Sequence, residues 1–282
     1  MQKKQAVEYV VDQRLCSVRR ACRYLVVHRS TYRCQAQDLT PKELQLHQQI
    51  VELSWAHPRY GYRRIRALLV GKGWSVSRKQ LQRIRRKEGR KVPSKPKRES
   101  RRGDSTGLPT KATHPNHVWT WDFIFDRTDK GSTLKMLTML DEYTRQCLVI
   151  RVERQIQSKQ VFETLVQAMA TYGVPEHIRS DNGSEFIART IQQGLKDHQI
   201  KTLYIEPGSP WQNGYIESSH SRFRDECLNR EWLLNLREAR IVIEDWRQHY
   251  NTERPHSQLG YISPEEFMLW SLPRKLYQLD CE

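Results

Sequence analysis

The sequence changes its periodicity near residue 117, and this change constrains the fold more than any other feature. Residues 118–125 place aromatic side chains at every second position, which is typical of a β-strand. Two more β-rich runs follow at 133–140 and 147–152. Because the links between these runs are short, we expect an antiparallel meander of three strands.

The segments after the meander complete an alternation of helices and strands. We predict a helix capped by Ser158, a short strand, a helix capped by Ser184, another strand, a loop rich in proline and glycine, and two further helices. In the same order, we expect the first helix at 159–172, the short strand at 177–180 and the second helix at 185–198. The next strand is expected at 200–205, the loop at 206–214, and the last two helices at about 215–229 and 236–250. This order predicts an α/β fold with a mixed sheet and helices packed against it.

The positive charge of the chain is concentrated before residue 117. Residues 1–116 hold 28 Lys/Arg and 8 Asp/Glu, whereas residues 117–282 hold 20 and 24. A local excess of this size on a segment that can fold indicates a nucleic-acid binder. A basic surface that serves only solubility is the alternative.

Two helical regions precede the strands. Residues 1–36 resemble a helix-turn-helix segment, with an apolar stripe at 18, 21, 22 and 25 and Ser30 as the cap of a second helix. Thr40, Pro41 and Glu43 predict the start of another helix in a basic helical domain at 37–92. We expect its cationic side chains to contact DNA phosphates, although a solvated charged face would look the same. The candidates are Arg63, Arg64, Arg78, Lys79, Arg83 and Arg86.

Residues 93–116 form a basic linker with four prolines and almost no apolar side chains, and residues 117–282 form the remaining domain. No run of about 18 apolar residues predicts a membrane span. The chain also begins without the apolar stretch of a signal peptide, so we expect a cytoplasmic protein. The six cysteines lack C-x-x-C spacing, which disfavours a zinc or thioredoxin-like site.

Three carboxylates lie where an α/β enzyme would place a site. Asp122 lies among the aromatic residues of the first strand, Asp181 directly follows the fourth, and Glu217 lies just inside a helix. A charged group among apolar strand residues is costly unless it is paired or bound to metal. Oxygen ligands favour Mg²⁺ or Mn²⁺ over zinc, and two such ions can clamp the attacking and leaving oxygens of a phosphoryl transfer.

The sequences around these carboxylates resemble those of bacterial insertion-sequence transposases of the OrfB type, which have a retroviral-integrase-like DDE core. The resemblance rests on the sequences WTWD at 119–122, SDNGSEF at 180–186, GSPWQNGYIE at 208–217 and RPHSQLGY at 254–261, and on the thirty-five residues between Asp181 and Glu217. It implies an RNase H-like core preceded by a helical DNA-binding region. It also implies a DDE triad of Asp122, Asp181 and Glu217.

The resemblance further implies a reaction and its partners. Two Mg²⁺ ions, which Mn²⁺ can replace, would support strand cleavage by water and strand transfer by the freed 3′-hydroxyl, without a covalent enzyme–DNA intermediate. Arg224, two helical turns after Glu217, would contact terminal phosphates, although a surface salt bridge is as reasonable a role. We expect binding to double-stranded DNA, self-association on DNA, nucleoid association in a bacterial cytoplasm, and in some elements fusion to an upstream OrfA frame. We expect no zinc, because the histidines lack paired cysteines.

The sequence alone leaves two other functions open. A regulator derived from a decayed transposase would bind DNA without cutting it, although all three carboxylates are present. An RNase H-type nuclease would act on RNA–DNA hybrids, but the basic helical regions disfavour it.

Overall fold

The computed structural model describes residues 2–34, 40–92, 110–181, 183–206 and 210–272. These residues form two compact units, Met1–Gln49 and Ile50–Glu282. The domain boundaries expected at residues 36, 92 and 116 remain a prediction. Within the described residues, no helix combines the length and apolarity that crossing a bilayer requires.

The first unit is helical and small. Its helices are α1 (Gln2–Asp12), α2 (Val18–Tyr24), α3 (Arg29–Arg33) and the beginning of α4 (Pro41–Ala56). Val7, Ala21 and Cys22 form its buried centre. Ser30 is not the cap of α3, because His28 precedes the helix and Ser30 lies inside it. Thr40 does cap α4, because the Glu43 N–H donates to Thr40 Oγ1 (3.3 Å) and the Thr40 N–H donates to Glu43 Oε2 (2.9 Å).

The second unit contains the sheet and the remaining helices. Its helices are α5 (Tyr62–Gly71), α6 (Arg78–Lys87), α7 (Ser158–Tyr172), α8 (Arg189–Asp197), α9 (Gly214–Phe223), α10 (Leu236–Thr252) and α11 (Pro264–Ser271). Its strands are β1 (Val118–Arg127), β2 (Thr133–Asp141), β3 (Cys147–Glu153), β4 (His177–Ser180) and β5 (Lys201–Tyr204). A π-helical turn, Arg224–Leu228, directly continues α9.

The five strands form one mixed sheet in the order β3-β2-β1-β4-β5. β1, β2 and β3 pair antiparallel, which confirms the expected meander, whereas β4 pairs parallel with β1 and β5 parallel with β4. This connectivity, with helices on both faces, is the expected RNase H-like arrangement. It places β1 at the centre, with β4 beside it.

Each face of the sheet is covered by its own pair of helices. Trp119 and Trp121 pack in a cluster with buried residues of α7 and α8. Ile124, on the opposite face of β1, packs with residues of α9 and α10. Because side chains alternate along a strand, Asp122 shares the face of Ile124 and lies on the α9 side.

Two helix starts differ from the sequence-based expectation. Ser158 is the first residue of α7, and the Gln157 N–H donates to Gln160 Oε1 (2.7 Å) in a capping arrangement. The helix expected at 185–198 begins only at Arg189. Phe186 is buried and stacks on Trp121 at 5.0 Å between ring centroids, so the chain makes a turn there before the helix starts.

A buried ion-pair network joins α5 to the sheet-bearing part of this unit. Glu226 accepts hydrogen bonds from Arg254 Nε (2.6 Å) and Nη2 (2.7 Å) and from Arg64 Nη1 (3.0 Å). Arg254 is 1 % exposed and Glu226 9 %. Because both charges are out of water, each depends on the other for compensation.

We expect Glu226→Gln to lower the free energy of unfolding by about 3–5 kcal/mol, since it leaves two guanidinium groups without their carboxylate. The neighbouring Asp225 pairs with Arg59 at a more exposed position. Asp225→Asn should therefore cost less than about 1 kcal/mol. Urea unfolding followed by tryptophan fluorescence measures both. Equal losses in the two variants would contradict the assignment of Glu226 as the centre of the network.

Candidate active site

Asp122 is held on β1 by its own backbone and by β2. Its Oδ1 accepts a hydrogen bond from the Phe123 N–H (2.7 Å), and its carbonyl accepts one from Thr138 Oγ1 (3.0 Å). Thr138 lies directly opposite Asp122 in the pairing of β1 with β2. The carboxylate is therefore fixed on the face of the sheet that α9 covers.

Asp181 follows the last residue of β4, the parallel neighbour of β1. Its Oδ1 accepts the Gly183 N–H at 3.1 Å. A Cβ placed on Gly183 would itself lie 3.1 Å from that oxygen, so a side chain there would crowd the carboxylate. The glycine thus permits the turn that presents Asp181.

Glu217 lies in the first turn of α9 and is exposed. The residue before this helix, Asn213, is buried, and its Oδ1 accepts a hydrogen bond from Thr120 Oγ1 (2.7 Å). Thr120 precedes Asp122 by two positions on the same strand face. This contact therefore anchors the start of α9 to the strand that carries Asp122.

Asp122 lies close enough to the other two carboxylates for both to act on its charge. Its pKa is raised to about 7, first because burial penalises the charged form, and further because Asp181 and Glu217 repel it. The Phe123 hydrogen bond acts in the opposite direction. Among the ion pairs that the described residues form, none joins these three carboxylates to a lysine or arginine.

A cluster of carboxylate oxygens with uncompensated charge fits a hard divalent cation such as Mg²⁺. Such a cation would offset the repulsion that Asp181 and Glu217 exert on Asp122 and would favour the ionised form of Asp122. Buried charges without a partner are otherwise rare in folded proteins.

His220 belongs to this site, and the sequence analysis did not name it. Its Nε2 lies 2.6 Å from Thr138 Oγ1, and its Nδ1 lies 3.7 Å from Asp122 Oδ2. Burial, followed by the nearby Arg224, lowers the pKa of His220 to about 4, so the ring is neutral. Since Thr138 Oγ1 donates to the Asp122 carbonyl, we assign the ring proton to Nε2. The signal in the sequence is its spacing of three residues from Glu217, which places both on one side of α9.

Arg224 lies next to the strand of Asp122. Its Nη2 donates to the Phe125 carbonyl at 2.8 Å, and most of the side chain is exposed. The surface salt bridge considered as an alternative is not among the described ion pairs. A guanidinium group at this position can meet an anionic ligand that approaches the carboxylates.

The basic residues expected to contact DNA separate into two groups. Most are exposed: Arg63 on α5, and Arg78, Lys79, Arg83 and Arg86 on α6. Arg64, in contrast, is partly buried and pairs with Glu226 inside the unit. Its position favours a structural role over a contact with DNA.

One further group of ligand-type side chains lies at the beginning of β1 and β4. His114, His117 and Glu176 bring their ligand atoms within 4.8 Å of one another. However, His117 Nδ1 accepts the Thr113 N–H (3.2 Å), which places the proton of the neutral ring on Nε2, the atom that faces Glu176. The geometry gives no reason to assign zinc there, and the expected absence of zinc remains a prediction.

Comparison with known proteins gives a consistent result along most of the chain. Residues 112–210 and 198–264 each match an integrase core domain family, and residues 41–98 match the HTH-like domain family. This HTH-like match falls on the second of the two helical regions considered from the sequence.

Two curated proteins of insertion elements are similar to the chain. The uncharacterized 39.2 kDa protein of insertion element IS476 from Xanthomonas euvesicatoria is 39% identical over 265 residues, which are 94% of this chain and 76% of that protein. The 31.7 kDa protein of IS407 from Burkholderia multivorans is 38% identical over 89% of this chain and 90% of its own length. Among solved structures, the HTLV-2 integrase catalytic core in complex with magnesium is 18% identical, with a TM-score of 0.41, over 55% of this chain and 97% of that one.

We expect Asp122→Asn to stabilise the metal-free protein at pH 8. The pKa of Asp122 is about 7 in the folded chain and near 3.9 when unfolded, so the wild type loses stability as the pH rises from about 4 to 7. The asparagine variant lacks this loss. At pH 8 its free energy of unfolding should therefore exceed that of the wild type by about 1–3 kcal/mol, and near pH 4.5 the difference should be much smaller.

Urea unfolding in EDTA at the two pH values measures the effect. Asp126→Asn, on the same face of β1, is the matched control and should change stability by less than about 0.5 kcal/mol. An Asp122→Asn effect that does not depend on pH would contradict the raised pKa of Asp122.

Proposed function

We propose, from the premise that this chain belongs to the insertion-element transposases with an integrase core, that Asp122, Asp181 and Glu217 form the DDE triad of a metal-dependent DNA strand-transfer enzyme. That the protein is a transposase acting on DNA follows from its family. The observation that supports the proposed site is the placement of its three carboxylates: Asp122 on β1, Asp181 directly after the parallel neighbour β4, and Glu217 in the first turn of α9.

The three carboxylates would have distinct roles. Asp122, at the centre of the sheet, would contact both metal ions, whereas Asp181 would hold one and Glu217 the other. Bound Mg²⁺, or Mn²⁺ in its place, would polarise the scissile phosphate and lower the pKa of the attacking water or 3′-hydroxyl. The family resemblance supports cleavage by water followed by strand transfer, with no covalent enzyme–DNA intermediate.

The rigid contacts around the triad would orient it for this chemistry. Thr138 holds the backbone of Asp122 and is itself held by His220, and Gly183 permits the turn that presents Asp181. Because Arg224 bonds to the strand of Asp122 and remains exposed, it would contact a phosphate near the scissile bond. Such positioning contributes much of the catalysis in phosphoryl transfer.

The HTH-like region would hold the DNA. Its basic face on α5 and α6 exposes Arg63, Arg78, Lys79, Arg83 and Arg86. These side chains would neutralise backbone phosphates, which supplies affinity without sequence preference. Arg64 is excluded from this set, because Glu226 holds it inside the unit.

The assembly around the DNA is also part of the proposal. Cutting two element ends calls for self-association on DNA, and an upstream OrfA frame fused by frameshifting would supply further DNA contacts. The working protein would bind terminal repeats and target DNA and associate with the nucleoid in the bacterial cytoplasm.

We expect Glu217→Gln to reduce strand cleavage and joining by at least about 10³-fold, because one metal ligand loses its charge. The assay uses a labelled duplex that carries the element's end, with Mg²⁺ or EDTA. The matched control is Glu231→Gln, an exposed glutamate that should retain activity within about threefold.

Products from the wild type in EDTA, or equal products from Glu217→Gln and the wild type, would refute the triad. If neither protein gives products, the same assay with the OrfA fusion follows. Absence of products from that fusion as well would indicate a DNA-binding protein without catalytic activity.

We expect Arg83→Gln on α6 to weaken binding to specific and unrelated duplexes by similar factors. Losing one phosphate contact should also make the plot of log K, the logarithm of the binding constant, against the logarithm of the salt concentration less steep by about 0.9. Fluorescence polarisation across a KCl series measures the slope. If only the specific duplex were affected, Arg83 would read bases and not phosphates.

A further inference from the structure

A solvent-accessible cavity beside α9 is lined by positive groups. It has a volume of about 260 Å³, and its polar walls come from separate parts of the chain. Arg145 comes from the turn between β2 and β3, Tyr215 and Arg222 come from α9, and His256 comes from the segment that follows α10. Exposed Ser218 and Gln258 lie at its edge.

The charges around this cavity are poorly compensated. His256 is 2 % exposed, and after burial itself the charges of Arg222, Arg254, Arg145 and Arg64 lower its pKa. Glu226 neutralises part of this charge, but it is already bonded to Arg254 and Arg64. Like charges brought together in a partly buried region oppose folding unless an anion joins them.

Several buried nitrogen atoms in the lining of the cavity also lack partners. Nε and Nη1 of Arg145 and Nδ1 of His256 have no hydrogen-bond partner among the described residues. A buried polar group without a partner destabilises the folded state, so folded proteins nearly always satisfy such groups. An oxyanion could satisfy several of them at once, because guanidinium groups bind phosphate through paired N–H donors.

The arrangement is rigid enough to be a built site. The Arg145 guanidinium lies over the Tyr215 ring at 3.8 Å, and Arg222 Nη1 bonds to Ser218 Oγ at 2.7 Å. The loop of His256 is closed by its N–H bond to the Ile262 carbonyl (2.9 Å). The first residues of α9, Gly214 and Tyr215, also line the cavity, and the N-terminal end of a helix attracts anions.

We propose that the cavity lined by Arg145, Arg222 and His256 binds a phosphate group. The preferred source is a backbone phosphodiester of the DNA, because α9 carries both Glu217 and the wall of this cavity. This choice of source rests on the proposed function. A free phosphate ion has the same chemistry, and the experiment distinguishes the two.

The first arm measures thermal unfolding of the full chain in EDTA, without DNA, at constant ionic strength. Inorganic phosphate in place of chloride should raise the Tm of the wild type by about 2–4 °C. Arg145→Gln and Arg222→Gln, on different elements, should each lose at least half of this shift. Arg237→Gln, an exposed arginine on α10, is the matched control and should keep it.

The second arm measures DNA binding in EDTA across a KCl series. If the site holds a DNA phosphate, Arg145→Gln should reduce the slope of log K against log salt by about 0.9, and Arg237→Gln should leave the slope unchanged. A phosphate-dependent Tm shift with an unchanged slope would support the site and assign it to a free anion.

The proposal is overturned if neither the Tm shift nor the slope depends on Arg145 and Arg222 while circular dichroism shows both variants folded. Both arms omit divalent metal, so they do not depend on catalysis. A failure of the DDE triad would appear in the cleavage assay and leave these measurements unaffected.

Discussion

The placement of the partly buried Asp122 carboxylate beside Asp181 and Glu217 is the constraint on which the functional part of this structure depends. The fold places Asp122 at the centre of the sheet, partly out of water, and brings Asp181 and Glu217 close enough to raise its pKa. A protein gains no stability from such an arrangement while the charges remain unbalanced. The contacts of Thr138, Asn213 and Gly183 resist the relaxation that would separate these groups. The proposed metal binding would account for a geometry that folding alone disfavours.

Glu226 and the arginines bonded to it form a second concentration of charge. Glu226, just after α9, compensates Arg254 and Arg64 and thereby holds α5 of the HTH-like region against the sheet-bearing part of its unit. The same arginines contribute to the positive field of the cavity near His256. Residues after Glu217 therefore pack the unit and, in our proposal, also bind an anion.

Much of the fold could be predicted from periodicity, whereas the triad that the motifs indicate remains a proposal. The alternation in β1 and the short links to β2 and β3 were sufficient for the meander, because strand patterns are local. The start of α8 was missed because Phe186 packs on Trp121, a contact sixty-five residues away in the chain. His220 and the internal role of Arg64 were missed for the same reason. Their partners, Thr138 and Glu226, are distant in sequence, and an arginine on a basic helix gives no local sign that it turns inward.

Direct observation of a metal ion among the three carboxylates is the measurement that tests this account most directly. Crystals of the chain soaked in Mn²⁺ should give an anomalous peak at about 2.0–2.3 Å from oxygens of Asp122 and Asp181, and Asp122→Asn crystals should lack it. If Mn²⁺ bound at His114, His117 and Glu176 but not at Asp122, the carboxylates would not be a metal site. The central claim would then be wrong.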